Sequence, residues 1–257
     1  MANTLEQLSA DQFGPRAQAY VASAVHASGP DLDWIETHLR DRRDAAFLDV
    51  GCGGGHVAYR AAPHVRSVTA CDPSADMLRA VEATAAERGI ANLGTVQAPA
   101  ERLPFEDGTF DAAATRFSAH HWGDLDLGLR EVGRALKRGG LFLVADAAAP
   151  ASPLLDTHLQ TVELLRDPSH VRDYSAAEWV AALGRTGFAA EEVHTSRVRI
   201  EFALWAERMR TPEVAVAAIR RVQCHASNEV RHHFGIEADG SFQLDTVWVA
   251  ATKQGVR

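Results

Sequence analysis

From residue 46 onward, short apolar runs alternate with longer segments whose apolar residues recur every three or four positions. Ala46–Val50 is an apolar run of strand length, 54–62 has helical spacing and stops at Pro63, and 65–71 is again strand-like. The alternation continues with a helix over 74–88 ended by Gly89, strands over 93–97 and 110–115, a helix over 124–136, a turn at Gly139-Gly140 and a strand over 141–147. Short apolar strands interleaved with amphipathic helices predict βαβ units, and hence an α/β fold with a largely parallel sheet covered on both faces.

The flanks are helical. Asp11 is placed to cap a helix running to about His26, with Phe13, Ala17, Tyr20 and Ala24 on one face; Gly29-Pro30 breaks it. A second helix over 31–39 carries Leu32, Ile35 and Leu39 on one face. After Pro150, helices are expected over 153–166, 175–184, 203–210, 213–225 and 227–234, with strands over 188–202 and 242–251. The expected organisation is one domain in three stretches: an N-terminal helical lid (1–44), a central core (45–150), and a helical cap with the last two strands (151–257).

Charge and cysteine usage narrow the function. Lys and Arg number 26 against 34 Asp and Glu, a formal net charge of −8. That argues against a nucleic-acid partner, whose affinity comes from clustered basic residues. Cys52, Cys71 and Cys224 lack CxxC spacing, so neither a disulfide framework nor a zinc ribbon is expected, and a reducing cytoplasm fits best. The polar N-terminus does not read as a signal peptide, so none is expected, and no apolar run has the length of a membrane span. Glu229, His232 and His233 share a helix face but not a zinc-site pattern, so no metal is expected.

The candidate chemistry begins where the first core strand meets Gly51-Cys52-Gly53-Gly54-Gly55-His56. Glycines between a strand and a helix allow a tight turn and close approach of a ligand to the backbone. The spacing is not the G-x-G-x-x-G of a dinucleotide site. Asp49 precedes the first glycine by two residues, and a carboxylate there suits a cationic ligand better than a pyrophosphate. Asp72, about twenty residues further on at the end of the next strand and followed by Pro73, is placed to accept from ribose hydroxyls. The two acids together point to a positively charged, phosphate-free nucleoside.

The segments LDVGCGGGHVA, DPSADML, AERLPFEDGTFDAAATRFSAHHW and LREVGRALKRGGLFLVAD follow one another over about 45–147. They resemble the class I S-adenosylmethionine-dependent methyltransferases of the UbiE type. QFGPRAQAYVASAVH, LLDTHLQTVELLRDPSHVRDYSAAEW, EFALWAERMRTP and DGSF extend the similarity to the YafE-like branch. The resemblance implies a Rossmann-like, seven-stranded, mostly parallel sheet with helices on both faces and helical caps at both ends. By position, Gly51 and Gly53, with the small Cys52 between them, would pack under the methionine moiety of S-adenosylmethionine, and Asp49 would orient around its amino group. Asp72 would hold the ribose, Met77 would cover the adenine, and Ala100 and Glu101 would sit beside it. The strand end at Thr115–Arg116 would offer a carbonyl to the methionine ammonium, and Tyr20 and Phe13 lie on a helix that closes over the cofactor in this family. One departure stands out: Pro99 occupies a position where relatives carry an acid that accepts from the adenine amino group.

The expected activity is methyl transfer to a small-molecule acceptor by in-line displacement, without a metal. His120 and His121 follow a strand at its carboxyl end, where ligands of open α/β sheets bind, and are the candidate catalytic or pocket-lining residues. His170, Asp173 and Tyr174 are expected to fold over the mouth, and Trp122 to face an apolar acceptor. The competing readings are a non-catalytic S-adenosylmethionine-binding module and, on a similar fold, an NAD(P)-dependent oxidoreductase disfavoured by the glycine spacing and Asp49.

Overall fold

A computed structural model describes residues 4–17 and 27–255. Seven strands form one sheet in the order β3-β2-β1-β4-β5-β7-β6. They are β1 (Ala46–Val50), β2 (Ser67–Asp72), β3 (Leu93–Gln97), β4 (Phe110–Arg116), β5 (Leu136–Ala147), β6 (Phe188–Ile200) and β7 (Phe242–Lys253). The first five run parallel, and β7 is antiparallel to both β5 and β6. The chain order reverses between β1 and β4, which opens a crevice at the carboxyl ends of β1, β2 and β4.

Strand β1 shows why the sheet is two-faced. Ala46, Leu48 and Val50 enter one apolar cluster and Phe47 the opposite one, as the two-residue period of a strand requires. On the first face lie α5 (Leu125–Ala135) and α7 (Ala176–Arg185), which contribute Leu125, Leu129, Val132, Trp179 and Leu183. Asp124 caps α5 by accepting from the Leu127 amide at 2.9 Å, and Ser175 with Glu178 forms a capping box on α7. The other face is covered by α2 (Pro30–Leu39), α3 (His56–Ala61) and α4 (Ala75–Glu87), which bury Leu32, Ile35, Val57, Leu78 and Val81.

A third apolar cluster lies beyond β5. Helix α6 (Pro153–Arg166) brings Leu159 and Val162; α8 (Phe202–Met209), α9 (Glu213–Cys224) and α10 (Asn228–Phe234) bring Phe202, Trp205, Ile219, Val230 and Phe234. They enclose Phe242 and Leu244 of β7, so the insertion between β6 and β7 caps the upper end of the sheet.

Two boundaries depart from the sequence expectation. The first helix, α1, spans Leu5–Phe13 and not a segment beginning at Asp11, because Thr4 and Gln7 form a capping box that starts it earlier. It gives way to a short 3₁₀ turn at Gly14–Arg16; the rest of the expected helix, with Tyr20 and Ala24, lies outside the described residues. Gly139-Gly140 does not separate a helix from a strand. Strand β5 already begins at Leu136, pairs with Phe110 there, and shifts register before Leu141 pairs with Ala112; Gly139, at φ +74°, accommodates the irregularity.

Candidate active site

The turn after β1 is built on positive φ. Gly51, Gly53 and Gly55 have φ of +65°, +48° and +78°, and α3 begins directly afterwards. Gly51 also meets a close neighbour: a Cβ there would lie 1.8 Å from Ser118 Oγ. At Gly53 nothing lies within 4 Å of the position a Cβ would take, so its space opens into the crevice. Cys52 donates its amide to the Cys71 carbonyl at 2.9 Å, which pins the turn to the end of β2.

Both acids fall on this turn. Asp49 Oδ2 accepts the Ala58 amide at 3.0 Å, satisfying a first-turn donor of α3. Asp72 accepts the Gly53 amide through Oδ2 and the Ser74 amide through Oδ1, each at 2.9 Å. Burial pushes Asp49 up to about 7; the Ala58 hydrogen bond opposes the shift and the charge of Asp72 adds to it. Burial likewise raises Asp72 to about 6 against its two amide hydrogen bonds. Burial and the same two carboxylates push the Cys52 thiol well up, so it stays protonated and is no nucleophile.

A cavity of about 410 Å³ sits against this turn, within the range of small-ligand sites. Its wall includes Asp49, Gly51, Cys52, Gly53, Asp72, Pro73, Met77, Pro99, Ala100, Glu101, Arg116 and His121. Of the residues singled out from sequence for the cofactor, Tyr20 alone is outside the described chain. Glu101 is already engaged: its Oε1 accepts the Gly123 amide at 2.7 Å, so it braces the loop before α5. Arg116 forms a buried ion pair with Asp31 of α2. Pro99 itself brings no carboxylate to the wall.

Sequence reasoning missed several wall residues. Phe117 adopts φ +47°, unusual for a bulky residue, and Ser118 beneath Gly51 accepts from Trp122 Nε1 at 3.3 Å. Trp122 fits because α5 has Gly128 against its ring, where a Cβ would be 2.5 Å away. Thr4, Leu5, Ser9 and Ala10 of α1 and its cap, also missed, line the cavity beside Phe13, which the sequence reading places on a closing helix, so α1 forms its roof. Arg16, just after α1, donates to the Met209 carbonyl at 2.9 Å and fastens the roof to α8. A glycine opposite a tryptophan and an early capping box were the available signals.

The histidines divide. His121 is on the cavity wall, with Phe13 edge-on at 5.0 Å between ring centroids. His120 does not line the cavity, contrary to the expectation for the pair. Its Nδ1 contacts Asp146 Oδ1 at 2.6 Å, and this buried carboxylate at the end of β5 holds the ring. Burial disfavours charge on His120, but Asp146 outweighs it and raises the imidazole to about 9. His170 and Asp173 are buried behind this pair and are not on the wall: His170 Nε2 contacts Gln160 Oε1 at 2.9 Å, and burial together with the charge of His120 pushes His170 down to about 3. Tyr174 lines a separate surface groove with Asp124 and Glu178. Among the described residues no cluster of metal-ligating side chains occurs, and no helix is long and apolar enough to cross a membrane.

A glycine turn at the switch point thus carries two buried carboxylates on a cavity wall on which no lysine lies. Comparison with known proteins names the class: the chain belongs to the class I S-adenosylmethionine-dependent methyltransferases. The methyltransferase domain model matches residues 48–144. YafE of Escherichia coli is 44% identical over 203 residues, 79% of this chain and 98% of YafE. YcgJ of Bacillus subtilis, named a methyltransferase, is 35% identical over 224 residues, 87% of this chain and 88% of YcgJ. The crystal structure of YcgJ superposes with a TM-score of 0.84 at 33% identity, covering 88% of this chain and 99% of that one. The ubiquinone/menaquinone biosynthesis C-methyltransferase UbiE of Agrobacterium fabrum shares 38% identity over 130 residues, 48% of this chain and 50% of UbiE. The half shared with UbiE does not extend to an acceptor.

Proposed function

We propose that the protein moves the methyl group of S-adenosylmethionine to a small-molecule acceptor that enters beside His121 and Trp122. The observation that carries this reading is the pair of buried carboxylates, Asp49 and Asp72, flanking a glycine turn on the wall of a cavity of about 410 Å³. The cofactor, when bound, supplies a methyl group already activated on a positively charged sulfur.

The residues present fit that group. Gly53 leaves open space where any side chain would intrude. The lone pairs that Asp72 does not give to amides accept from the ribose, and Asp49 faces the cationic end. Met77, Pro73 and Ala100 supply apolar surface for the adenine; the role of the acid replaced by Pro99 passes to backbone or water. Arg116 brings the strand-end carbonyl to the methionine ammonium. Once the methyl is activated, the chain's task is alignment and exclusion of water. The roof formed by α1 serves both, and the net charge of −8 favours a small organic acceptor over DNA or RNA.

Incubation with methyl-tritiated donor tests this. Label is expected in a small-molecule fraction of cell extract, and not in purified RNA, DNA or protein offered separately. Label found solely in a macromolecule would overturn the acceptor class. Tight binding of adenosylhomocysteine with no transfer to any fraction would point to a non-catalytic binding module.

A further inference from the structure

We infer that the His120–Asp146 ion pair and the Asp167–Ser169 turn form a positioning device that fixes His121 as a neutral imidazole with its proton on Nδ1. The tautomer follows from hydrogen-bond direction. His121 Nδ1 lies 3.1 Å from the Ser169 carbonyl oxygen, which only accepts. It also lies 3.3 Å from Ser169 Oγ, whose own proton is committed to Asp167 Oδ1 at 2.7 Å. Two acceptors thus converge on Nδ1, and the proton belongs there. Asp167 Oδ1 also takes the Ser169 amide at 2.9 Å, so one buried carboxylate orients both the carbonyl and the hydroxyl.

The charge state follows from what surrounds the ring. A second proton, on Nε2, would find Asp167 Oδ2 at 4.0 Å, beyond hydrogen-bond distance. It would stand beside His120, whose ring centroid is 4.2 Å away and which is held protonated by Asp146. Asp146 is fully engaged, accepting in addition the Ala119 amide at 2.9 Å and the Ala147 amide at 2.8 Å. Glu163 favours the charge of His120, and Asp173, whose carboxyl burial and the charge of Glu163 push up to about 8, adds to that pull only as it ionises; His170, 5.8 Å from His120, stays neutral. Phe13 of the roof adds no charge to His121. Burial and His120 together push His121 down, against the pull of Asp167. The segment 167–172 after α6, a strap across this pair, is tied on by the Val171 and Arg172 amides, which donate to the His120 carbonyl at 2.8 and 3.2 Å.

Nε2 is then a lone pair without a proton. On the reading of this site as a methyl-transfer site, His121 meets the acceptor as a neutral imidazole on the cavity wall. Asp146, His120, Asp167 and Ser169 act through His121 and are positioning residues.

Nitrogen-15 NMR of histidine-labelled protein, without cofactor or acceptor, tests the device. His121 is expected as the Nδ1–H tautomer with no titration between pH 8 and 5.5, and His120 as doubly protonated across that range. In His120→Gln the His121 midpoint is expected to rise by more than one pH unit; the double variant His120→Gln with Asp146→Asn, which leaves no unpaired buried charge, reads the same effect. Asp167→Asn is expected to mix the tautomers, whereas Ser169→Ala keeps the carbonyl and the Nδ1–H form. An ordinary titration of His121 in the wild-type protein, or an Nε2–H tautomer, overturns the inference. Adenosylhomocysteine binding is measured separately, so loss of the methyl-transfer reading would leave the imidazole result standing.

Discussion

At the scale of single residues, the two glycines of the turn make distinct demands. Gly51 is fixed by the protein itself, since a Cβ would strike Ser118 at 1.8 Å for Oγ and 2.7 Å for Cβ. Gly53 has a similar positive φ but open space, so the chain constrains it through backbone conformation alone, and the proposed cofactor would supply any further constraint. Gly51→Ala is therefore expected to lower unfolding free energy by about 3 kcal/mol, combining overpacking with left-handed strain. Gly53→Ala should cost about 1 kcal/mol of stability from strain alone, yet weaken adenosylhomocysteine binding far more than Gly51→Ala weakens it per unit of stability lost. Denaturant titration beside calorimetry separates the two; equal binding by Gly53→Ala and wild type would refute a ligand at that position. These glycines and their acids were legible in sequence because their chemistry is local to one turn. Ser118 was not, because its role depends on the backbone of Phe117 turning to φ +47° and bringing a hydroxyl under a glycine dozens of residues away in sequence.

At the scale of elements, the alternation of strands and helices over 46–147 was readable because each element buries a face with its own period. The first helix was misplaced for an equally physical reason: Asp11 and Thr4 are both competent caps, and it is Thr4 with Gln7 that closes a reciprocal pair. Helix α1 is a marginal element, with no fully buried side chain among those described. Its stability rests on that cap, on Phe13 against His121 and on the Arg16 tether to α8. Gln7 is exposed and off the cavity wall, so Gln7→Ala removes half the capping box without touching the site. Amides of residues 5–8 are expected to exchange several-fold faster with solvent, the local cost being about 0.5–1 kcal/mol. The global denaturation midpoint should barely move, while adenosylhomocysteine affinity falls roughly threefold through a less populated closed roof. Unchanged exchange and affinity would mean that the roof is held by its tertiary contacts alone.

At the scale of the whole molecule, the groups that hold His121 are buried ionisable side chains drawn from distant parts of the chain, and no local pattern could have revealed their assembly. Asp146 ends β5, Asp167 and Ser169 lie on the strap after α6, and His120 and His121 follow β4; the sheet alone brings them together. The shifts of the buried groups give the stability a defined pH dependence. Asp49 and Asp72 are raised, so their contribution is full below about pH 4, the unfolded carboxylate value, and is lost as pH rises through about 6 and 7. His120 is also raised, with its contribution full below about pH 6.5 and lost as pH rises through about 9. His170 is lowered, and its contribution, full above about pH 6.5, is lost as pH falls through about 3. The empty protein thus keeps Asp49 partly protonated near neutrality, a form a cationic ligand binds poorly. Binding must drive that proton off, and affinity for adenosylhomocysteine should rise roughly tenfold between pH 5.5 and 7.5. Calorimetry in buffers of different ionisation enthalpy should show net proton release on binding near pH 6.5. Methylthioadenosine, which keeps the nucleoside but has no ammonium group, isolates Asp72 and should show a weaker dependence. If both ligands bind with the same pH profile, Asp49 does not meet the methionine end of the cofactor, and its role reduces to holding the first turn of α3 through the Ala58 amide.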